Sequence, residues 1–105
     1  MDLVKEIYLE TQKFPKEEIF GLTAQLRRAA VSIPSNIAEG RGRATKGEFK
    51  QFLGNARGSL AELETQVIIA KSLDYLAEAD ANNLLLLLEE LGRPLNALIS
   101  SVRQQ

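Results

Sequence analysis

Apolar residues recur at spacings of three and four along almost the whole chain, and no period-two stretch of useful strand length interrupts them. The pattern predicts helices. The first runs from about Asp2 to Gln12, with Asp2 as its cap and Val4, Ile7, Tyr8 and Thr11 on one face. The stretch KFPKEE ends it, because a residue before proline avoids the helical region. Pro15 suits the first turn of a new segment, with Glu17 and Glu18 near its positive end. The second helix carries Ile19, Leu22, Leu26, Ala29 or Ala30, Ile33 and Ile37. Pro34 falls inside that pattern and predicts a kink, or a restart at Ser35 or Asn36. Gly40 and Gly42 suit a left-handed stop.

The third pattern is the most regular. Phe49, Leu53, Ala56, Leu60, Leu63, Val67 and Ala70 step alternately by four and three, the seam of a left-handed helix pair or bundle. Thr45 is its cap, Glu48 completes a capping box, and the helix reaches about Ser72. The fourth runs from about Ala77 to Arg103 on Ala81, Leu84, Leu88, Leu91, Leu95, Leu98 and Val102, with a kink expected at Pro94. Long helices with short connections predict an all-α, up-and-down antiparallel four-helix bundle, one domain over residues 1–105.

Two features exceed what one bundle uses. The run LLLLL at 84–88 points all round its helix, at about 100° per residue. Leu84 and Leu88 fit the seam, Leu85 and Leu87 lie to either side, and Leu86 faces nearly opposite. Gly54 and Gly58 stand in a helix interior, where glycine costs about 1 kcal/mol against alanine. Both suggest a second burial, against another copy of the chain, with Leu85, Leu86, Leu87, Gly54 and Gly58 as interface candidates. The alternatives are a wide core stripe that leaves Leu86 in water and, at the glycines, the close approach of a neighbouring helix or a helix that is merely weak.

Composition narrows the chemistry. Among 105 residues there is no cysteine and no histidine. Disulfides, thiolate chemistry and Ser–His or Cys–His catalysis are therefore excluded. Glu62 and Glu64, like Glu89 and Glu90, are too close in sequence to face one another on a helix. No phosphate-loop or dinucleotide spacing occurs. The reading is a non-enzyme with no cofactor and no metal site; the alternative is a carboxylate site assembled across subunits, with a bound metal. The apolar runs are far below the ~20 residues of a membrane span, and no signal pattern opens the chain, so the expectation is a cytoplasmic protein without a membrane partner.

The net charge of -1 is unevenly spread. Residues 27–57 hold seven basic side chains against Glu39 and Glu48, a net of +5, and both flanks are acidic. Lys46, Lys50 and Arg57 fall within about 40° of one another on the third helix. Arg41 and Arg43 occupy the glycine-punctuated turn before it, and Arg27 and Arg28 lie on the preceding helix. Arginines and backbone donors at a helix start suit phosphate, and such a cluster binds nucleic acid through its backbone. The competing reading is a solvated basic face, or one neutralised by the acidic remainder of a second copy. No aromatic is interleaved with the arginines as a base-stacking platform.

The stretches LTAQLRRAAVSIPSNIAEGRGR and EFKQFLGNARGSLAELETQ, with the upstream YLETQKFPKEEIFGL, closely resemble the four-helix-bundle family encoded in intervening sequences of bacterial 23S ribosomal RNA genes. The resemblance spans about Asp2 to Tyr75. It implies a four-helix bundle assembled as a ring-like homopentamer. The family is similar to the accessory proteins of diversity-generating retroelements, which use a basic surface to bind nucleic acid and a partner reverse transcriptase. The slightly acidic balance here departs from the strongly basic one expected of such accessory proteins. The resulting expectation is a homo-oligomeric scaffold that binds RNA or DNA, structured RNA first, through Arg41, Arg43, Lys46, Lys50 and Arg57. A reverse transcriptase is a partner if the gene lies beside a retroelement. The alternative is a protein-interaction module that binds no nucleic acid.

Overall fold

A computed structural model describes residues 2–103, with side chains through Val102. Helices α1 (Asp2–Thr11), α2 (Leu22–Arg41), α3 (Lys46–Ser72) and α4 (Glu78–Arg103) follow in order, with a short 3-10 turn at Lys16–Glu18. No strand occurs among the described residues, so the all-α prediction holds. Each helix packs on its chain neighbours, and α1 closes the ring against α4. Antiparallel order is visible in the contacts between α2 and α3: Gly40 meets Phe49 and Phe52, while Ser32 meets Ser59.

The helices differ in length, and this shapes the core. The larger cluster draws on all four helices, through residues such as Ile7, Leu26, Ile33, Leu63, Val67, Leu84 and Leu88. A second cluster, Leu53, Ala56, Leu95, Ile99 and Val102, draws on α3 and α4 with Ile37 of α2. Ten residues of α1 reach only about 15 Å, whereas α3 and α4 reach about 40 Å. The bundle therefore has four helices at one end and three at the other, and the α2–α3 turn sits at the three-helix end.

The face that α1 buries is turned from the predicted one. Leu3, Ile7 and Thr11 are buried, Val4 is half-buried and Tyr8 is 40% exposed. Thr11 can be interior because its hydroxyl donates to the Ile7 carbonyl at 2.7 Å and accepts from Arg27 Nε at 2.9 Å. The Arg27 guanidinium also lies 4.7 Å above the Tyr8 ring, which holds Tyr8 at the edge of the α1–α2 seam.

Ile19 is not part of α2, contrary to the apolar spacing. It is 54% exposed and Phe20 is 93% exposed. Glu18 is the cause. Its Oε1 accepts from Leu22 N at 3.2 Å, its Oε2 accepts from Tyr75 Oη at 3.0 Å, and its carbonyl accepts from Gly21 N at 3.0 Å. This one residue caps α2, ties it to the segment after α3 and closes the turn, so residues 19 and 20 bulge outward. A Cβ on Gly21 would stand 2.7 Å from Glu18 Oε1, so the glycine gives the carboxylate room to fold over.

Helix α2 continues through Pro34, with no restart at Ser35 or Asn36, and α4 continues through Pro94. Near Pro34 side chains supply extra bonds: Asn36 Nδ2 donates to the Ser32 carbonyl at 2.7 Å, and Ser32 Oγ lies 2.9 Å from the Ala29 carbonyl and 2.6 Å from Ser59 Oγ. The expected left-handed glycines are absent: no glycine has positive φ, and Gly42 is right-handed. Gly40 is instead a buried residue of α2 where the helix meets Phe49 and Phe52. The left-handed residue is Asp74, at φ 62° after α3. There Tyr75 N donates to the Ala70 carbonyl and Asp74 N to the Lys71 carbonyl, the paired bonds of a Schellman stop.

Thr45 caps α3 as predicted, its Oγ1 accepting from Glu48 N at 3.2 Å. Glu48 departs from the full capping box, because its Oε1 accepts from the Thr45 hydroxyl at 3.1 Å. Gln66 is buried between the helices. Its Nε2 donates to Glu62 Oε1 at 3.0 Å, and its Oε1 has no partner.

Candidate functional site

The α2–α3 turn brings part of the basic third together. Arg41 ends α2, Lys46 begins α3, and Arg43 lies between them. With Gly40, Ala44, Thr45, Phe49 and Leu98, these three line a groove of about 470 Å³ at the three-helix end. The lining holds no carboxylate, and the free backbone donors at the start of α3 lie beside it. This is a setting that suits a phosphate group.

The three cations are not equivalent. Arg43 pairs with Glu39 one turn back on α2, and its guanidinium lies 4.9 Å above the Phe52 ring. Arg41 and Lys46 are exposed and make no ion pair among the described residues. Lys50 and Arg57 are exposed further along α3 and do not line the groove. From Lys46 to Arg57 the rise is about 16 Å, so these residues form a track along the helix.

Arg27 and Arg28 form a separate patch, about 20 Å along α2 from Arg41. Arg27 is committed to Thr11 and Tyr8, whereas Arg28 is exposed. The two arginines line a groove of about 420 Å³ with Tyr8, Val31 and Ser32.

The interface candidates divide as well. Leu85 and Leu87 are half-buried against the chain's own core, and Leu86 is 52% exposed. Most of the five-leucine run is thus used within the bundle. Gly54 and Gly58 are exposed, and a Cβ at either would meet nothing within 4 Å. Nothing inside the bundle makes use of these two missing side chains.

Sequence reasoning overlooked Phe20 and the Glu18 turn. The adjacency of two large apolar residues just before a glycine, in EEIFGL, was the available signal. Among the described residues, no three metal-ligating side chains cluster, and no helix is long and apolar enough to cross a membrane.

A comparison with curated proteins finds no match. The sequence model for the 23S rRNA-intervening sequence protein family matches residues 1–97, which takes in all of α1, α2 and α3 and most of α4. With that span and a four-helix fold, the chain belongs to the family of 23S rRNA-intervening sequence proteins.

Proposed function

We propose that this chain is a non-enzymatic, cytoplasmic scaffold that assembles as a homopentamer and binds the phosphate backbone of structured RNA through its α2–α3 turn. The observation that carries the nucleic-acid reading is the groove in which Arg41, Arg43 and Lys46 converge without a carboxylate, beside the start of α3. Lys50 and Arg57 continue the positive track along α3. Recognition of this kind neutralises phosphates and carries little sequence preference. Assembly into a pentamer rests on the family resemblance, supported by Gly54 and Gly58, whose open surface lets a second backbone approach. If the gene neighbours a retroelement, the same surface meets a reverse transcriptase.

One observation favours a second reading, a protein-interaction module without nucleic-acid binding. Arg43 is already paired with Glu39, and the chain as a whole carries -1. Fluorescence anisotropy against a structured RNA and a duplex DNA, from low to physiological salt, separates the two. Backbone binding predicts a log–log salt slope of roughly -0.9 per phosphate contacted on the duplex. Changing Arg41, Arg43, Lys46 and Lys50 to alanine should abolish binding while the oligomer survives. No binding by the wild type at low salt would refute the nucleic-acid reading and leave the protein-interaction one.

A further inference from the structure

We infer that Ile19 and Phe20 of one copy seat in the groove between α1 and α2 of the next copy, so that the chain assembles head to tail through two different surfaces. The inference rests on the homo-oligomer reading above and names the contact that would build it.

The knob is held outward by design of the local bonds. Phe20 is 93% exposed and Ile19 54% exposed, side by side on a turn fixed by the three bonds to Glu18. A rigid, solvent-facing aromatic is the usual form of an interface anchor, because little freedom is lost when it is buried. The groove offers a matching floor. Tyr8 and Val31 are each 40% exposed there, and Arg27 is pinned across Tyr8 and Thr11.

Charge and apolar floor together favour this groove. Its ionic lining is Arg27 and Arg28 alone, and Arg28 makes no ion pair among the described residues. The residues leading into the knob, Lys16, Glu17 and Glu18, carry a net -1, and Glu17 is exposed and likewise unpaired. The groove between α3 and α4 carries Glu64 and Glu89 with Arg93 on its walls, and its two carboxylates oppose Glu17. The α2–α3 groove is as cationic as the α1–α2 one, but its apolar residues Phe49 and Leu98 are half-buried, whereas Tyr8 and Val31 are exposed, so charge and apolar floor together favour the α1–α2 groove.

The complementary charges of Glu17 and Arg28 make a second copy the occupant, because the chain cannot fill the groove itself. Phe20 lies in the turn before α2, and Arg28 and Val31 stand about 9–14 Å along that helix from its first residue Leu22, so Phe20 cannot reach its own groove without unwinding the helix. A contact between two unlike patches is heterologous and closes into rings of any number, odd ones included. A symmetric patch would pair copies in twos. The head-to-tail contact is thus compatible with a five-membered ring.

The chain has no cysteine, which makes crosslinking a clean test. The double variant Phe20→Cys, Val31→Cys, oxidised in its native state, should give a ladder of covalent species up to the ring. An equal mixture of the two single variants should stop at the dimer. Reversing either charge, Glu17→Arg or Arg28→Glu, should weaken association about tenfold or more, and the two together should restore it. If the wild type sediments as an oligomer while the charge reversals, which keep Phe20 and Val31 in place, leave association unchanged and the double variant gives no ladder, the contact is refuted and the oligomer stands. If Phe20→Cys alone gives dimers as readily as the mixture, the contact is symmetric and the inference fails. A wild type that stays monomeric at about 50 µM would overturn both this contact and the oligomer on which it rests.

Discussion

Gly40→Ala places a single methyl group at the closest approach of α2 and α3. The new Cβ would lie 2.9 Å from Phe52 Cβ, 3.0 Å from Phe49 Cδ1 and 3.5 Å from the Phe49 carbonyl oxygen. Carbon atoms prefer separations of about 3.5–4.0 Å, so the first two contacts are short by roughly half an ångström or more. Phe52 Cβ is fixed to the backbone of α3 and cannot rotate aside. The helices must part at their tight end, or Phe49 must leave its rotamer. Overpacking of this kind costs about 1–3 kcal/mol. Alanine recovers at most about 1 kcal/mol of helix propensity, and less in a last turn. The expected net loss is about 1–2 kcal/mol, or a fall in Tm of roughly 4–16 °C for a domain of this size. The assay is thermal and urea unfolding followed by circular dichroism, at one fixed protein concentration because association raises apparent stability. Gly47→Ala is the internal control, since a Cβ there meets nothing within 4 Å, and it should be neutral or slightly stabilising. A Gly40→Ala variant as stable as the wild type would refute the close-approach argument.

Gly54→Ala with Gly58→Ala should stabilise the isolated protomer by about 1–2 kcal/mol, yet weaken association if α3 meets another subunit there; unfolding and sedimentation together read both signs. Asp74→Gly should raise stability by about 0.5–1 kcal/mol, because glycine takes the left-handed conformation at φ 62° without the Cβ clash, seen as a higher urea midpoint. Gln66→Met keeps the volume and removes the unpartnered buried carbonyl together with the part-buried bond to Glu62, so the urea midpoint should rise by the equivalent of about 1 kcal/mol; a fall would show that the bond to Glu62 outweighs the unpartnered oxygen. The Tyr75 phenol is held above its usual 10.0, chiefly by its hydrogen bond to Glu18, then by burial and the charges of Glu18 and Glu17. That bond contributes fully below pH 10 and is lost as pH rises through the raised value, so an ultraviolet titration in a Tyr8→Phe background should show a high midpoint that Glu18→Gln lowers.

The seams of α3 and α4 were legible because a packed helix needs an apolar residue on every turn of one face. Leu53, Ala56, Leu63, Val67, Leu84 and Leu88 are buried as the spacing required. The same logic misled at Ile19, where an apolar residue in register with α2 belongs to a turn. Local spacing carries no information about a carboxylate that caps a helix starting four residues later and bonds a tyrosine 57 positions away. The basic site was partly legible. Composition located Arg41, Arg43 and Lys46, and only the packing of Leu98 and Phe49 beneath the turn made a groove of them.

The sequence alone determined the four long helices, the cap at Thr45, the absence of cysteine and histidine chemistry and the concentration of positive charge, because each follows from residue identity and short-range spacing. Tertiary structure decided the rest. It made Gly40 a helix crossing where a chain stop was expected, moved the left-handed residue to Asp74, and divided the basic third into two patches. It also drew most of the leucine run into the chain's own core and turned Phe20 out to solvent. These outcomes depend on which surfaces meet across tens of residues. Contacts of that kind are fixed by the shape and hydrogen bonding of the assembled bundle, not by the periodicity of any one helix.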